Sequence, residues 1–115
     1  ATRAASVFLE QLMDHGLLDH VRSVGAHFER RLRALALQHP IIEEVRGTGL
    51  MFGLQLRTDA MAVVDQARTR GLLVNRTNER VIRLLPPLVA TTAELDKAVD
   101  ILDGVLTAIE AAVSA

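Results

Sequence analysis

Apolar residues in this chain recur first at helical spacing, then crowd into short runs, then return to helical spacing. Over residues 2–14, Ala5, Phe8, Leu9, Leu12 and Met13 fall on one stripe, which predicts a helix stopped by Gly16. From Leu17 to Gln38 the pattern predicts a second, longer helix. Val21, Val24, Phe28, Leu32 and Leu35 keep the three-four spacing, while Arg22, Glu29, Arg30 and Arg33 take much of the other face. His39-Pro40 ends it, because the residue before a proline is steered away from helix.

Ile41 to Arg46 then has strand composition, and Gly47-Thr48-Gly49 reads as a break or bulge. Leu50 to Leu56 continues as a mostly apolar strand with Gly53 at its centre, where a glycine often marks a close backbone approach. Asp59 is placed to cap a helix from Ala60 to Arg70, with Met61, Val64 and Ala67 inward and Gly71 closing it. Leu72 to Asn75 is expected as a short strand, Arg76 to Glu79 as a polar turn, and Arg80 to Leu85 as an apolar strand halted by Pro86 and Pro87. The last helix opens on Thr91 and Glu94, spaced as a capping box, and runs through Leu95, Val99, Leu102, Leu106 and Ile109 to about Val113. This order predicts an α+β fold, a small sheet with helices packed on one face as a two-layer sandwich. No internal repeat interrupts it.

At 115 residues and 50% apolar content the chain is one domain with a real core. A formal net charge of -1 and an aromatic content of 3%, all phenylalanine, argue against nucleic acid as a partner. No apolar run is long enough to span a bilayer, and no basic-then-apolar leader is visible. The absence of cysteine removes disulfides and thiolate chemistry; a cytoplasmic location is the expectation. The chain opens on helix-like sequence without a cap, which reads as a piece of a longer polypeptide.

Few residues are candidates for chemistry. Lys97, the only lysine, lies between Asp96 and Ala98 and reads as surface charge. His20 and His27 are too far apart along a helix to share an ion, so no metal site is expected. Ser6, Ser23 and Ser114 lack a nucleophile context, and no catalytic residue is assigned. The charged run from His27 to Arg33 reads as a solvated helix face. Gly47-Thr48-Gly49 lacks the full pattern of a phosphate loop, and Arg46, with Glu43 and Glu44 as candidate partners, is assigned a structural role. Arg83 stands out as a guanidinium between Ile82 and Leu84, just before the prolines. Alternation alone leaves two readings open, a strand arginine facing solvent or a planar fork awaiting a carboxylate.

Val-Arg-Gly-Thr-Gly-Leu-Met-Phe-Gly-Leu (45–54), Gly-Leu-Leu-Val-Asn (71–75) and Val-Ile-Arg-Leu-Leu-Pro-Pro-Leu (81–88) together resemble the C-terminal small domain of class III aminotransferases, within fold type I and nearest the acetylornithine aminotransferase group. The resemblance covers residues 1–115 as one small domain. It implies that Arg83 binds the α-carboxylate of an amino acid or 2-oxoacid. It implies pyridoxal 5'-phosphate as cofactor, held by a large domain that also carries the Schiff-base lysine, so that this chain alone would not transaminate. It implies amino transfer from N-acetylornithine to 2-oxoglutarate in arginine and lysine biosynthesis by a homodimer. Asn75 to Asn78 would lie near the active site without an assigned contact. The competing expectations are ornithine or 4-aminobutyrate as donor, or a free-standing binding or regulatory module with no catalysis.

Overall fold

A computed structural model describes residues 16–87 and 89–114. The first predicted helix, residues 2–14, lies outside them. The chain enters α1 (Leu17–Gln38), then the strands β1 (Ile42–Thr48) and β2 (Met51–Leu56), α2 (Met61–Thr69), the strands β3 (Asn75–Asn78) and β4 (Val81–Leu84), and α3 (Thr92–Ser114). The strands form one antiparallel sheet in the order β1-β2-β4-β3. All three described helices pack on one face of it, as the order of elements predicts.

The boundaries follow from local chemistry. Thr91 Oγ1 accepts from the Glu94 amide at 3.2 Å, and a Glu94 carboxylate oxygen accepts from the Thr91 amide at 3.1 Å, the reciprocal pair that opens α3. Asp59 accepts from the Met61 amide at 2.8 Å at the start of α2. At its end the Leu72 amide donates to the Ala67 carbonyl and the Gly71 amide to the Arg68 carbonyl, with Gly71 at φ +87°. This double closure satisfies two orphan carbonyls of the helix.

Three expectations need correction. Gly47-Thr48-Gly49 is not a bulge: β1 runs on through Thr48, which pairs with Met51, so Gly49 and Leu50 form a two-residue hairpin turn. Gly49 takes φ +59° there. Bulges do occur, but at the outer strands, between Ile42 and Glu44 on β1 and between Arg76 and Asn78 on β3. The third strand is not Leu72 to Asn75, because the Leu72 amide is taken by the helix closure; pairing with β4 begins at Asn75 and uses the polar residues expected as a turn. In α2, Ala67 is buried and Val64 packs against the core as expected, but Met61 is exposed and Val63 is fully buried instead.

The core lies between the sheet and the helices. Val24, Phe28, Leu32 and Leu35 of α1 and Leu95, Val99, Leu102, Val105, Leu106 and Ile109 of α3 face Val45, Phe52, Leu54, Ile82 and Leu84 of the sheet. Each such burial is worth about 1.5–3 kcal/mol. Phe28 meets Phe52 edge to face, with centroids 5.4 Å apart. Gly25 sits against the hairpin turn so closely that a β-carbon there would come within 2.3 Å of the Gly49 carbonyl oxygen. These contacts fix the sheet under α1, and among the described residues its other face is uncovered.

Candidate functional site

The strand period of two sends Val45, Leu54 and Ile82 inward and their neighbours to the open face. Arg46 pairs with Gly53, Gly53 with Arg83 and Arg83 with Asn75, so these four positions form one row across the sheet. Two strand spacings separate Arg46 from Arg83, about 10 Å. A concave groove of about 710 Å³ lies over this row. Arg46 and Gly47 form one side, Met51, Gly53 and Gln55 the floor, and Val81, Arg83 and the Thr77–Arg80 corner the other side.

The two arginines differ in their surroundings. Arg46 is engaged: its Nε lies 3.1 Å from Glu44 and its terminal nitrogen donates to the Gln55 amide oxygen. That agrees with the structural role expected for it, with Glu44 as the partner. Arg83 is exposed and makes no ion pair or side-chain hydrogen bond among the described residues. The reading of Arg83 as a solvent-facing strand residue and the reading as a carboxylate fork therefore share one geometry. A guanidinium with all five donors available on a concave surface is suited to a planar anion.

The hairpin that carries Arg83 is well braced. The Arg80 amide donates to Asn78 Oδ1 at 3.0 Å, the Leu56 amide to the Arg80 carbonyl at 2.7 Å, and the Ala60 amide to the Glu79 carbonyl at 2.8 Å. Arg76 reaches Asp59 at 3.1 Å and ties the edge strand to the start of α2. The loop chemistry of Asn75 to Asn78 thus belongs to a strand that stands beside Arg83. The family resemblance placed these residues near the site without a contact; what the residues did not signal was that pairing begins three positions later than expected, at Asn75 rather than Leu72.

Among the described residues, His20, His27 and His39 lie away from the groove. His20 contacts the Ala90 carbonyl at 2.9 Å, and His27 contacts Asp96 at 2.7 Å. That hydrogen bond, with the charges of His27 and Arg31, holds the Asp96 carboxyl below its usual range although partial burial opposes it. His39 is buried at the end of α1 with Nδ1 2.5 Å from Glu110 and Nε2 2.5 Å from Asp103, both on α3. Burial disfavours its charge, but hydrogen bonds to the two carboxylates and their negative charge outweigh it and raise its pKa. The sequence singled out His39 only as a helix stop. Lys97 is exposed on α3, in the helical layer. Among the described residues, no helix is long and apolar enough to cross a membrane.

Comparison with known proteins gives this geometry a context. The family model for class III aminotransferases matches residues 1–106. The acetylornithine aminotransferase of Methanothermobacter thermautotrophicus is 39% identical over 104 residues, which are 90% of this chain and 27% of that protein. The ornithine aminotransferase of an Exiguobacterium species is 38% identical over 106 residues, 92% of this chain and 26% of its own length. Among solved structures, acetylornithine aminotransferase from Elizabethkingia anophelis superposes with a TM-score of 0.78 at 27% identity, covering 86% of this chain and 26% of that one. Lysine aminotransferase from M. tuberculosis superposes with a TM-score of 0.83 at 30% identity, covering 89% and 24%. The chain therefore spans about a quarter of the length of the curated relatives it matches.

Proposed function

The chain belongs to the class III aminotransferase family, and from that premise we propose that it is the C-terminal small domain, residues 1–115, of an acetylornithine-type transaminase whose substrate carboxylate is bound by Arg83. The observation that carries this reading is the unengaged guanidinium of Arg83 at the wall of the groove, where the other two strand arginines, Arg46 and Arg76, each have a carboxylate partner.

Class III aminotransferases use pyridoxal 5'-phosphate, which supplies the electron sink for amino transfer. The described residues do not form a place for it. The single lysine is on the helical side of the sheet, and no amine faces the groove. The contribution of this chain is positional. A bidentate guanidinium fixes the carboxylate, hence the orientation of the adjoining carbon, while the cofactor and its lysine come from a large domain of the same enzyme. The relatives named acetylornithine aminotransferase support N-acetylornithine as donor, while 2-oxoglutarate as acceptor and a place in arginine and lysine biosynthesis rest on the family resemblance alone.

The test is Arg83→Leu in the full-length enzyme. Hydrogen bonds to charged groups are worth about 1.5–3 kcal/mol each. Loss of the fork should lower kcat/KM by about one to three decades for both amino donor and 2-oxoacid. Unchanged kinetics with both would remove Arg83 from the site. A second reading, ornithine as donor, is favoured by the ornithine aminotransferase of similar identity. Parallel assays with N-acetylornithine and ornithine separate the two.

A further inference from the structure

Five of the seven glycines are explained by the chain's own structure. Gly16, Gly49 and Gly71 have positive φ. A β-carbon at Gly25 or Gly47 would come within 2.3 Å of a backbone oxygen, whereas one at Gly104, on α3 and away from the groove, would meet only the movable tip of the Arg70 side chain. Gly53 is the unexplained glycine that lines the groove. Its φ is not in the left-handed region, and a β-carbon there would meet nothing nearer than 3.8 Å. It lies in the interior of β2, where a glycine weakens a strand and a side chain would fit.

The space above Gly53 is kept clear from both sides. On β1, Arg46 is engaged by Glu44 and Gln55, which belong to the next row of the sheet. On β4, Arg83 stands directly opposite with its guanidinium unengaged. The result is a bare strip of backbone beside the Arg83 cation, on the floor of the groove.

We infer that Gly53 is a specificity-determining gap: its missing side chain lets an amino-acid carboxylate lie against the sheet and reach the Arg83 fork. This rests on the reading of Arg83 as the carboxylate-binding group. The fold does not ask for the glycine, so its cost to the strand is offset only by what occupies the strip. Gly53 itself touches no reacting atom and acts by leaving room.

The experiment compares Gly53→Ala, Gly53→Val and Arg83→Leu in the full-length enzyme, reading the thermal midpoint and the kinetics with N-acetylornithine and 2-oxoglutarate. The expected result is a midpoint unchanged or raised in both Gly53 variants. KM should rise with side-chain size, by roughly tenfold to a hundredfold for valine. Unchanged kinetics in Gly53→Val, with Arg83→Leu impaired, overturns the gap and leaves the carboxylate clamp standing. Unchanged kinetics in Arg83→Leu overturns the clamp and the gap with it. A fall in the midpoint of both Gly53 variants also overturns the inference, because the glycine would then serve the packing of another part of the protein.

Discussion

Single residues in this chain show how close packing overrides intrinsic preference. Gly25 sits inside α1, where alanine is favoured over glycine by about 1 kcal/mol. A β-carbon there would nonetheless come within 2.3 Å of the Gly49 carbonyl oxygen, and that atom belongs to a tight turn that cannot easily retreat. Overpacking of this kind costs about 1–3 kcal/mol. Gly25→Ala is therefore expected to lower stability despite its better helix propensity, and chemical denaturation of wild type and variant would measure it. No feature of the sequence around Gly25 announces this contact, because its partner lies 24 positions later in the chain, at Gly49. Arg83 is the opposite case: its oddity, a charge between two aliphatics, is visible in three consecutive letters.

At the level of elements, the buried His39 joins the end of α1 to two carboxylates of α3. Carboxylates only accept, so a ring facing both must donate from both nitrogens and carry a positive charge. Its folded pKa is raised, so the charged ring favours the folded state. That contribution is complete below the ordinary histidine value of about 6.5 and is lost as pH rises through the higher folded value. Stability of the wild type should fall over that interval, and His39→Gln should flatten the fall; urea titrations across neutral pH would test both. The spans of α1 and α3 were legible because their stripes are long and their ends carry chemical stops, Pro40 for one and Thr91 with Glu94 for the other. Strand β3 was not, because Asn-Arg-Thr-Asn carries no apolar alternation; hydrogen bonding to β4 makes it a strand. One inward position of α2 was misassigned because Met61 and Val63 are both apolar, and only packing against the rest of the fold chooses between them.

Among the described residues the sheet is asymmetric: one face is filled with helices, the other is open. Near the paired prolines, Leu73 is 83% exposed and Leu85 63%, and both line a small apolar cleft of about 240 Å³. Exposed apolar surface of this kind drives association. The isolated chain is expected to gain mass with concentration in light scattering, and Leu73→Glu should reduce that gain. The route such association can take is set by the two kinked outer strands. An outer strand normally offers unpaired backbone groups as a template for the next chain, and an irregularity there spoils the register of any newcomer. Because β1 and β3 are each interrupted in this way, rim-to-rim stacking is obstructed at both borders. Crowded copies are thus steered toward small, reversible clusters held through side chains, and away from the endless ribbons that lead to amyloid.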